Sequence, residues 1–358
     1  MIVYVWLATL SWCGTSIPQQ YPSYAYVLSE FDIDASYAYD REFENYVEGH
    51  GSQFRRLYRR SLKRGEFLLP MVRKQLIEAE LSDLLAYLPM IESGYLTEIQ
   101  SPKKAKGLWQ FIPATAKEYN LTVSYLCDER CDPVNATTAA IRHLQRLYKR
   151  FGKWYLVVMA YNCGEGRVSQ AIKKAGSDDL SILIDDRAKY LPKETREYIR
   201  RILLLTMIGE SEVIDFGPEK EAYHKGIVQV EVSGGTDLRD IASLLKMEPA
   251  ALIKLNSQYQ QTILPERTAR YKITIPYEKL IRFYLTYPPK EEVQVPKDHF
   301  VSHSVTAGET LQGISEKYHT TISEIRRVNH LKNTNLEDER LLIIPVTEAK
   351  FESVVNQQ

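Results

Sequence analysis

Apolar positions along this chain follow two rhythms, which change over near residue 220. Before that point the spacing is helical. Between about 52 and 90, Phe54, Leu57, Tyr58, Ser61 and Leu62 recur three and four residues apart, and Gly65 and Pro70 are expected to separate two short helices. Residues 20 to 50 are acidic and tyrosine-rich, lack a clean period, and read as an irregular or partly helical lead-in. The clearest helix is "DPVNATTAAIRHLQRLYKRF" (132–151). Ala136, Ala139, Ala140, His143, Leu144, Leu147, Tyr148 and Phe151 share one face, and Arg142, Arg146, Lys149 and Arg150 point mainly outward. Asp132 ahead of Pro133 is a start signal. "KWYLVVMAYN" predicts a buried helix that closes at Asn162 and "CGEG", and "PKETREYIRRILLLTMIGE" predicts another that opens at Pro192.

Beyond 220 a short alternating strand is followed by a glycine turn and two amphipathic runs, and the pattern then recurs. "VSGGTDLRDIASLLKMEPAALIKLN" (232–256) aligns without a gap to "VTAGETLQGISEKYHTTISEIRRVN" (305–329). Val232 matches Val305, Gly235 matches Gly308, Leu238 matches Leu311, Ile241 matches Ile314 and Asn256 matches Asn329. Each copy runs on into a strand ending at proline, "YKITIP" and "LLIIP", so each is a βααβ unit and the pair is an internal repeat. The Pro- and charge-rich stretch at 287–299 is a linker. The fold class is therefore mainly α: a helical body over 76–215 with a helical lead-in over 21–75, then two small βααβ modules at 228–277 and 302–345. Modules of this size suit recognition better than catalysis.

Composition narrows the function. Lys plus Arg and Asp plus Glu are 46 each, so nothing marks the whole chain as a nucleic-acid binder. The local cluster "RRLYRRSLKR" reads as a solvated helix face. Tyr outnumbers Phe by 24 to 10, and tyrosine suits wet grooves and sugar-stacking surfaces as well as ordinary helix exteriors. The first 20 residues read as an export signal, because their apolar run is too short to span a bilayer. "LSWC" has the outline of a lipoprotein cleavage site, which makes Cys13 a candidate lipid anchor, although Trp12 stands where a small residue is preferred. Cys127 and Cys131, one helical turn apart if that segment is helical, are candidates for a disulfide; Cys163 reads as a buried small hydrophobe. No metal-ligand spacing, phosphate loop, dinucleotide fingerprint or GxSxG elbow occurs, so no metal or cofactor is expected.

The candidate chemistry centres on "LPMIESGY" (88–95), an apolar run holding one carboxylate, Glu92. Burial disfavours the charged form and would equip it as a general acid near neutral pH. A helix-end cap or salt bridge is the competing reading, and composition alone favours it. A glycosidase normally needs a second carboxylate. Asp128, Glu129, Asp132, Glu165 and Glu194 are available, none of them in a comparable apolar run.

In order and spacing, "PMIESGY", "SPKKAKGLWQFIPATAKEYNL", "MAYNCGEGRV" and "YLPKETREYI" resemble the goose-lysozyme-like catalytic domain of D-type bacterial membrane-bound lytic murein transglycosylases. The repeats resemble LysM modules. The resemblance implies a lysozyme-like fold and peptidoglycan glycan strands as substrate. It also implies one glutamate, Glu92, acting first as acid and then as base to leave 1,6-anhydromuramic ends. Hydrolysis and inert glycan binding are the alternatives. It further implies substrate-binding roles for Ser93, Ser101, Leu108, Trp109, Gln110, Tyr161 and Asn162, with Leu108 and Trp109 walling the groove, and supporting roles for Glu194 and Tyr198. Lys103, Lys104 and Lys106 depart from the small residues usual before "GLWQ"; they are either a solvated loop edge or contacts for stem-peptide carboxylates. The longer first repeat is expected to be mostly a packing unit and the second to bind glycan. The location implied is the periplasm or outer membrane of a bacterium, and a monomer without nucleic-acid partners is expected.

Overall fold

A computed structural model describes residues 16–212, 226–266, 270–287, 299–306, 308–329, 331, 336, 341–346 and 351. Cys13 and nearly all of the linker lie outside the described residues. The chain is mainly helical, with two small two-stranded sheets. No helix among the described residues is long and apolar enough to cross a membrane.

The helical body is organised around the Lys193–Ser211 helix. Ile199, Ile202, Leu203, Leu204, Leu205, Met207 and Ile208 cover its whole circumference and are buried, which suits a helix surrounded by others. Against it pack the Arg41–Arg64, Trp154–Cys163 and Tyr87–Glu92 helices. The expected Asp132 start is present: its carboxylate accepts from the Val134 and Asn135 amides at 2.9 and 3.0 Å, and the helix runs from Pro133 to Phe151.

The N-terminal third departs from its sequence reading. A single helix runs from Arg41 to Arg64, capped by Asp40, whose carboxylate accepts from the Phe43 amide at 2.9 Å. Gly49 and Gly51 obscured its period without breaking it. Pro70 lies in the first turn of the Leu68–Glu78 helix, where its missing N–H removes no bond. Ile17 and Tyr21 are core residues at 2% and 1% exposure, so the packed body already includes the end of the stretch read as an export signal.

The expected disulfide is absent: Cys127 and Cys131 are free thiols. The helical turn that would bring them together does not form. Asp128 is extended (φ −125°, ψ 92°), only Glu129–Cys131 turns as a short 3-10 helix, and Cys127 pairs in a β-bridge with Tyr259.

In the first module β1 (Ile227–Ser233) pairs antiparallel with β2 (Arg270–Pro276), from Ile227 opposite Pro276 to Ser233 opposite Arg270. In the second, β3 (His299–Ser304) pairs with β4 (Leu341–Val346), from His299 opposite Val346 to Ser304 opposite Leu341. A two-stranded sheet needs helices to cover it, and equivalent residues do so: Leu238, Ile241 and Leu252 in one copy, Leu311, Ile314 and Ile325 in the other. The first module also includes the Leu280–Thr286 helix, whose Phe283 is buried, so it extends beyond the boundary at 277 read from sequence.

The repeated asparagine is a clamp. Asn256 Nδ2 donates to the Leu252 and Thr274 carbonyls (2.9 and 2.8 Å), and its Oδ1 accepts from the Thr274 amide. Asn329 makes the same three bonds to Ile325 and Ile343. Each asparagine thus ties the second helix to the closing strand. Replacing either by Ala strands buried backbone groups, and we expect a loss of about 2–3 kcal/mol in that module. Hydrogen exchange resolved by module should show the loss in the substituted copy only.

Candidate active site

Glu92 is the last residue of the Tyr87–Glu92 helix. The helix stops because Ser93 leaves helical backbone (φ −132°) and Gly94 and Tyr95 both turn left-handed (φ 58° and 60°). Tyr95 is held there by burial and by its hydroxyl, which donates to the Ala86 carbonyl at 3.0 Å. Ser93 shares its hydroxyl hydrogen between the carbonyls of Pro89 and Leu108, at 3.0 and 2.9 Å. It therefore staples the glutamate-bearing turn to the "GLWQ" loop, and its buried side chain faces protein.

The loop from Ile99 to Phe111 has little regular structure and is held by polar contacts. Gln110 adopts φ 50°, and its Nε2 donates to the Ile99 and Gly107 carbonyls at 3.0 and 2.9 Å. The Ser101 hydroxyl accepts from the Ala105 amide at 3.1 Å. Arg130 is the hub beneath. It forks onto Asp128 with two 2.8 Å bonds, and its Nη1 reaches the Lys104 and Phe111 carbonyls at 2.7 and 3.1 Å. Burial alone would raise the Asp128 carboxyl, but bonds and charge from Arg130, helped by Lys106 at 3.3 Å, hold it below the usual range. Lys106 is thus a half-buried structural cation. Lys103 stays exposed and meets Glu194 at 3.8 Å, a surface pair of small energetic weight.

Leu108 and Trp109 do not wall a groove. Both are at 0% exposure, and the Trp109 indole N–H donates to Thr137 Oγ1 at 2.9 Å. The apolar pair of "GLWQ" plugs the loop into the core, because a positive-φ Gly107 before it and Gln110 after it turn the backbone inward. Tyr161 closes this unit by donating to the Trp109 carbonyl at 2.6 Å. His143 belongs to the same aromatic layer beside Phe111, Tyr119 and Tyr161, and burial pushes its imidazole down to about 4, so it is a neutral packing residue.

Tyr198 reaches Glu92 from the central helix, donating its hydroxyl to Oε1 at 2.5 Å. Asn162 is fixed by Thr195, whose hydroxyl donates to Asn162 Oδ1 at 2.9 Å; this leaves the amide nitrogen as a donor facing outward from the contact. Glu92 keeps partial solvent access, yet its carboxyl is largely enclosed by protein. That enclosure is the main cause of a pKa raised to about 7; the Tyr198 bond pulls down and the charge of Glu194 pushes up. Four of the other candidate carboxylates are committed elsewhere, Glu129 by accepting from the Thr122 amide and the Asn135 side chain. Asp128 is paired with Arg130, Asp132 caps its helix, and Glu165 is paired with Arg146 and Arg150. Glu194, 67% exposed, acts on Glu92 only through its charge. Among the described residues no cluster suited to a metal ion occurs.

Removing the Tyr198 hydroxyl takes away the one bond that favours ionised Glu92. In Tyr198→Phe the Glu92 pKa is expected to rise above about 7, so the alkaline limb of activity moves to higher pH. The loss of orientation costs roughly 10-fold in turnover. A pH–rate profile checks both. Thr137, Thr195, Arg130 and the stapling role of Ser93 escaped the sequence reading, because single polar residues carry no periodic signal.

Residues 72–184 match the Transglycosylase SLT domain, 226–292 the LysM-like domain of lytic transglycosylase MltD, and 303–345 the LysM domain. Over 270 residues the chain is 27% identical to the membrane-bound lytic murein transglycosylase D of Escherichia coli K12, covering 73% of this chain and 59% of that protein. The chain thus spans less than two thirds of the length of this relative. It is 32% identical over 123 residues to the peptidoglycan transglycosylase gp16 of phage T7, covering 34% of this chain and 9% of that protein. A solved lytic transglycosylase Slt from Pseudomonas aeruginosa aligns at 20% identity and a TM-score of 0.32, covering 38% of this chain and 22% of that one. The chain carries a transglycosylase SLT domain followed by an MltD-type LysM-like domain and a LysM domain, and it is homologous to membrane-bound lytic murein transglycosylase D.

Proposed function

We propose that this chain is a lytic transglycosylase that cleaves the β-1,4 bond between N-acetylmuramic acid and N-acetylglucosamine in peptidoglycan. The observation that carries this reading is Glu92 itself: an enclosed carboxyl with a pKa of about 7, tied to Tyr198, on which Glu194 acts through its charge. A group balanced near neutrality can give a proton in one step and take one in the next. Protonated Glu92 delivers its proton to the glycosidic oxygen as the bond to C1 of the muramyl residue breaks, and the acetamido oxygen of that sugar supports C1. The resulting carboxylate then accepts the proton of the muramyl C6 hydroxyl as that oxygen bonds to C1. Glu92 is regenerated, no water is consumed, and a 1,6-anhydro end results.

Ser101, Gln110, Tyr161 and Asn162 line the proposed sugar site, with the Asn162 amide nitrogen and the Gln110 amide oxygen as its polar contacts. Glu194 helps keep Glu92 protonated. The module at 302–345 anchors the enzyme to the sacculus, and the reading of residues 1–20 as an export signal, with Cys13 as a candidate lipid anchor, places it in the bacterial envelope.

Digestion of purified peptidoglycan followed by mass spectrometry of the products tests the proposal. Muropeptides lighter by one water than hydrolytic products are expected. Reducing ends from the wild-type chain would replace the transglycosylase reading with lysozyme-like hydrolysis, and no cleavage at all would leave a glycan-binding protein.

A further inference from the structure

The first LysM-like module rests on the helical body through the end of its second helix and the segment that follows. The Lys254 carbonyl accepts from the Thr97 hydroxyl at 3.2 Å. The Ser257 hydroxyl lies 3.1 Å from Thr97 Oγ1 and 3.4 Å from the Cys131 carbonyl. The Gln258 carbonyl accepts from the Asp128 amide at 2.8 Å, and the Gln260 amide donates to the Leu126 carbonyl at 3.3 Å. Around this core of contacts, Gln229 Nε2 donates to Asp132 at 3.0 Å, and Ile227 and Leu255 pack against the core of the body.

These contacts converge on the parts of the body that carry the sugar-binding loop. Thr97 follows the left-handed turn after Glu92. Asp128 and Cys131 flank Arg130, which holds the Lys104 and Phe111 carbonyls from below. The segments 96–106 and 122–131 contain little helix of their own, so side-chain and cross-segment contacts rather than helical bonds hold them. The module supplies backbone partners to both at once.

We propose that the first LysM-like module is a built-in brace for the active site, and that Ser257 and Gln258 are positioning residues acting through Thr97 and the Asp128–Arg130 hub on the loop that carries Ser101 and Gln110. The loop's role in binding sugar rests on the function proposed above; the brace itself does not. A displacement of about 1 Å in a substrate-holding loop is enough to cost 10²-fold in rate, so undocking the module should act on turnover.

The test uses the full chain. Ser257→Arg places a long side chain in the contact. Hydrogen–deuterium exchange is expected to speed up about 10-fold or more at amides in 96–111 and 122–131, with the Lys193–Ser211 helix unchanged. The rate constant kcat/KM on a short soluble glycan is expected to fall at least 10-fold, with retention on sacculi unchanged. Should Ser257→Arg fail to fold, two milder changes decide the question. Tyr259 faces Cys127 across a β-bridge, so Tyr259→Cys is expected to form a disulfide with Cys127 on oxidation, as bridge partners lie within disulfide reach. In the Ser257→Ala, Tyr259→Cys double variant, oxidation is expected to restore turnover and reduction to lower it again. Three results would each overturn the brace: unchanged exchange and turnover in Ser257→Arg, loss of sacculus retention with turnover intact, or failure of the thiols to cross-link. If the wild type proves inert on peptidoglycan, the exchange measurement still decides the brace, because it needs no catalysis.

Discussion

Glu92→Gln is expected to lower the cleavage of peptidoglycan by about 10²–10⁴-fold, the range for loss of a general acid–base group, while leaving a more stable protein at neutral and alkaline pH. Both effects have one cause. The fold encloses the carboxyl and raises its pKa from 4.5 to about 7. A group whose folded pKa exceeds its unfolded value contributes stability that is fully present below about 4.5 and is lost as pH rises through about 7. The span corresponds to at most about 3 kcal/mol. Glutamine does not titrate and can still accept the Tyr198 hydroxyl through its amide oxygen. Wild type and variant should therefore be alike in stability near pH 4, with the variant gaining a lead of about 1–3 kcal/mol by pH 8. Denaturation at a series of pH values measures the lead, and product analysis measures the activity. Full activity in the variant would remove Glu92 from the mechanism; a lead that does not grow with pH would remove its raised pKa.

Gly107→Ala is expected to be the most damaging single-methyl change in the loop from Ile99 to Phe111. Gly107 has φ 85°, and a Cβ there would stand 1.7 Å from the Arg130 carbonyl oxygen and 2.6 Å from the carbon. Both are backbone atoms of the hub beneath the loop and cannot rotate away. The methyl group must push the loop off Arg130, which breaks the bonds to Lys104 and Phe111 and unseats Trp109. We expect a loss of about 3–5 kcal/mol and at least a 10²-fold fall in turnover. Gly152→Ala is the control: its φ is 68° and nothing lies within 4 Å of the added carbon, so only the backbone term of about 1 kcal/mol remains. Thermal denaturation of the two variants side by side separates the close approach from the backbone term.

Some features of this fold were legible because their signals are local. Asp132 before Pro133 announces a helix start within one turn, and the alignment of Asn256 with Asn329 exposes the repeat before any packing is known. The Arg41–Arg64 helix was only half legible, since Gly49 and Gly51 blur a 3.6-residue period that tertiary packing tolerates. Leu108 and Trp109 show the limit for single residues. An apolar pair beside a proposed sugar site reads equally well as wall or plug, and the Thr137 hydroxyl that makes it a plug lies 28 positions away.

Glu92 draws the same line through the site. The sequence by itself determined that one carboxylate ends an apolar helix, that ordered motifs follow it, and that two related modules come after the helical body. Those are properties of neighbours along the chain: capping groups, left-handed turns and apolar spacing act over a few residues. Only the tertiary structure decided that Glu92 titrates near neutrality, because its enclosure comes from the whole body and its hydrogen-bond donor, Tyr198, is 106 positions away. Tertiary packing also set Cys127 against Tyr259 and placed the first module against the segment that holds Arg130. Burial and pairing depend on which distant groups share a volume, and that is settled when the helices pack.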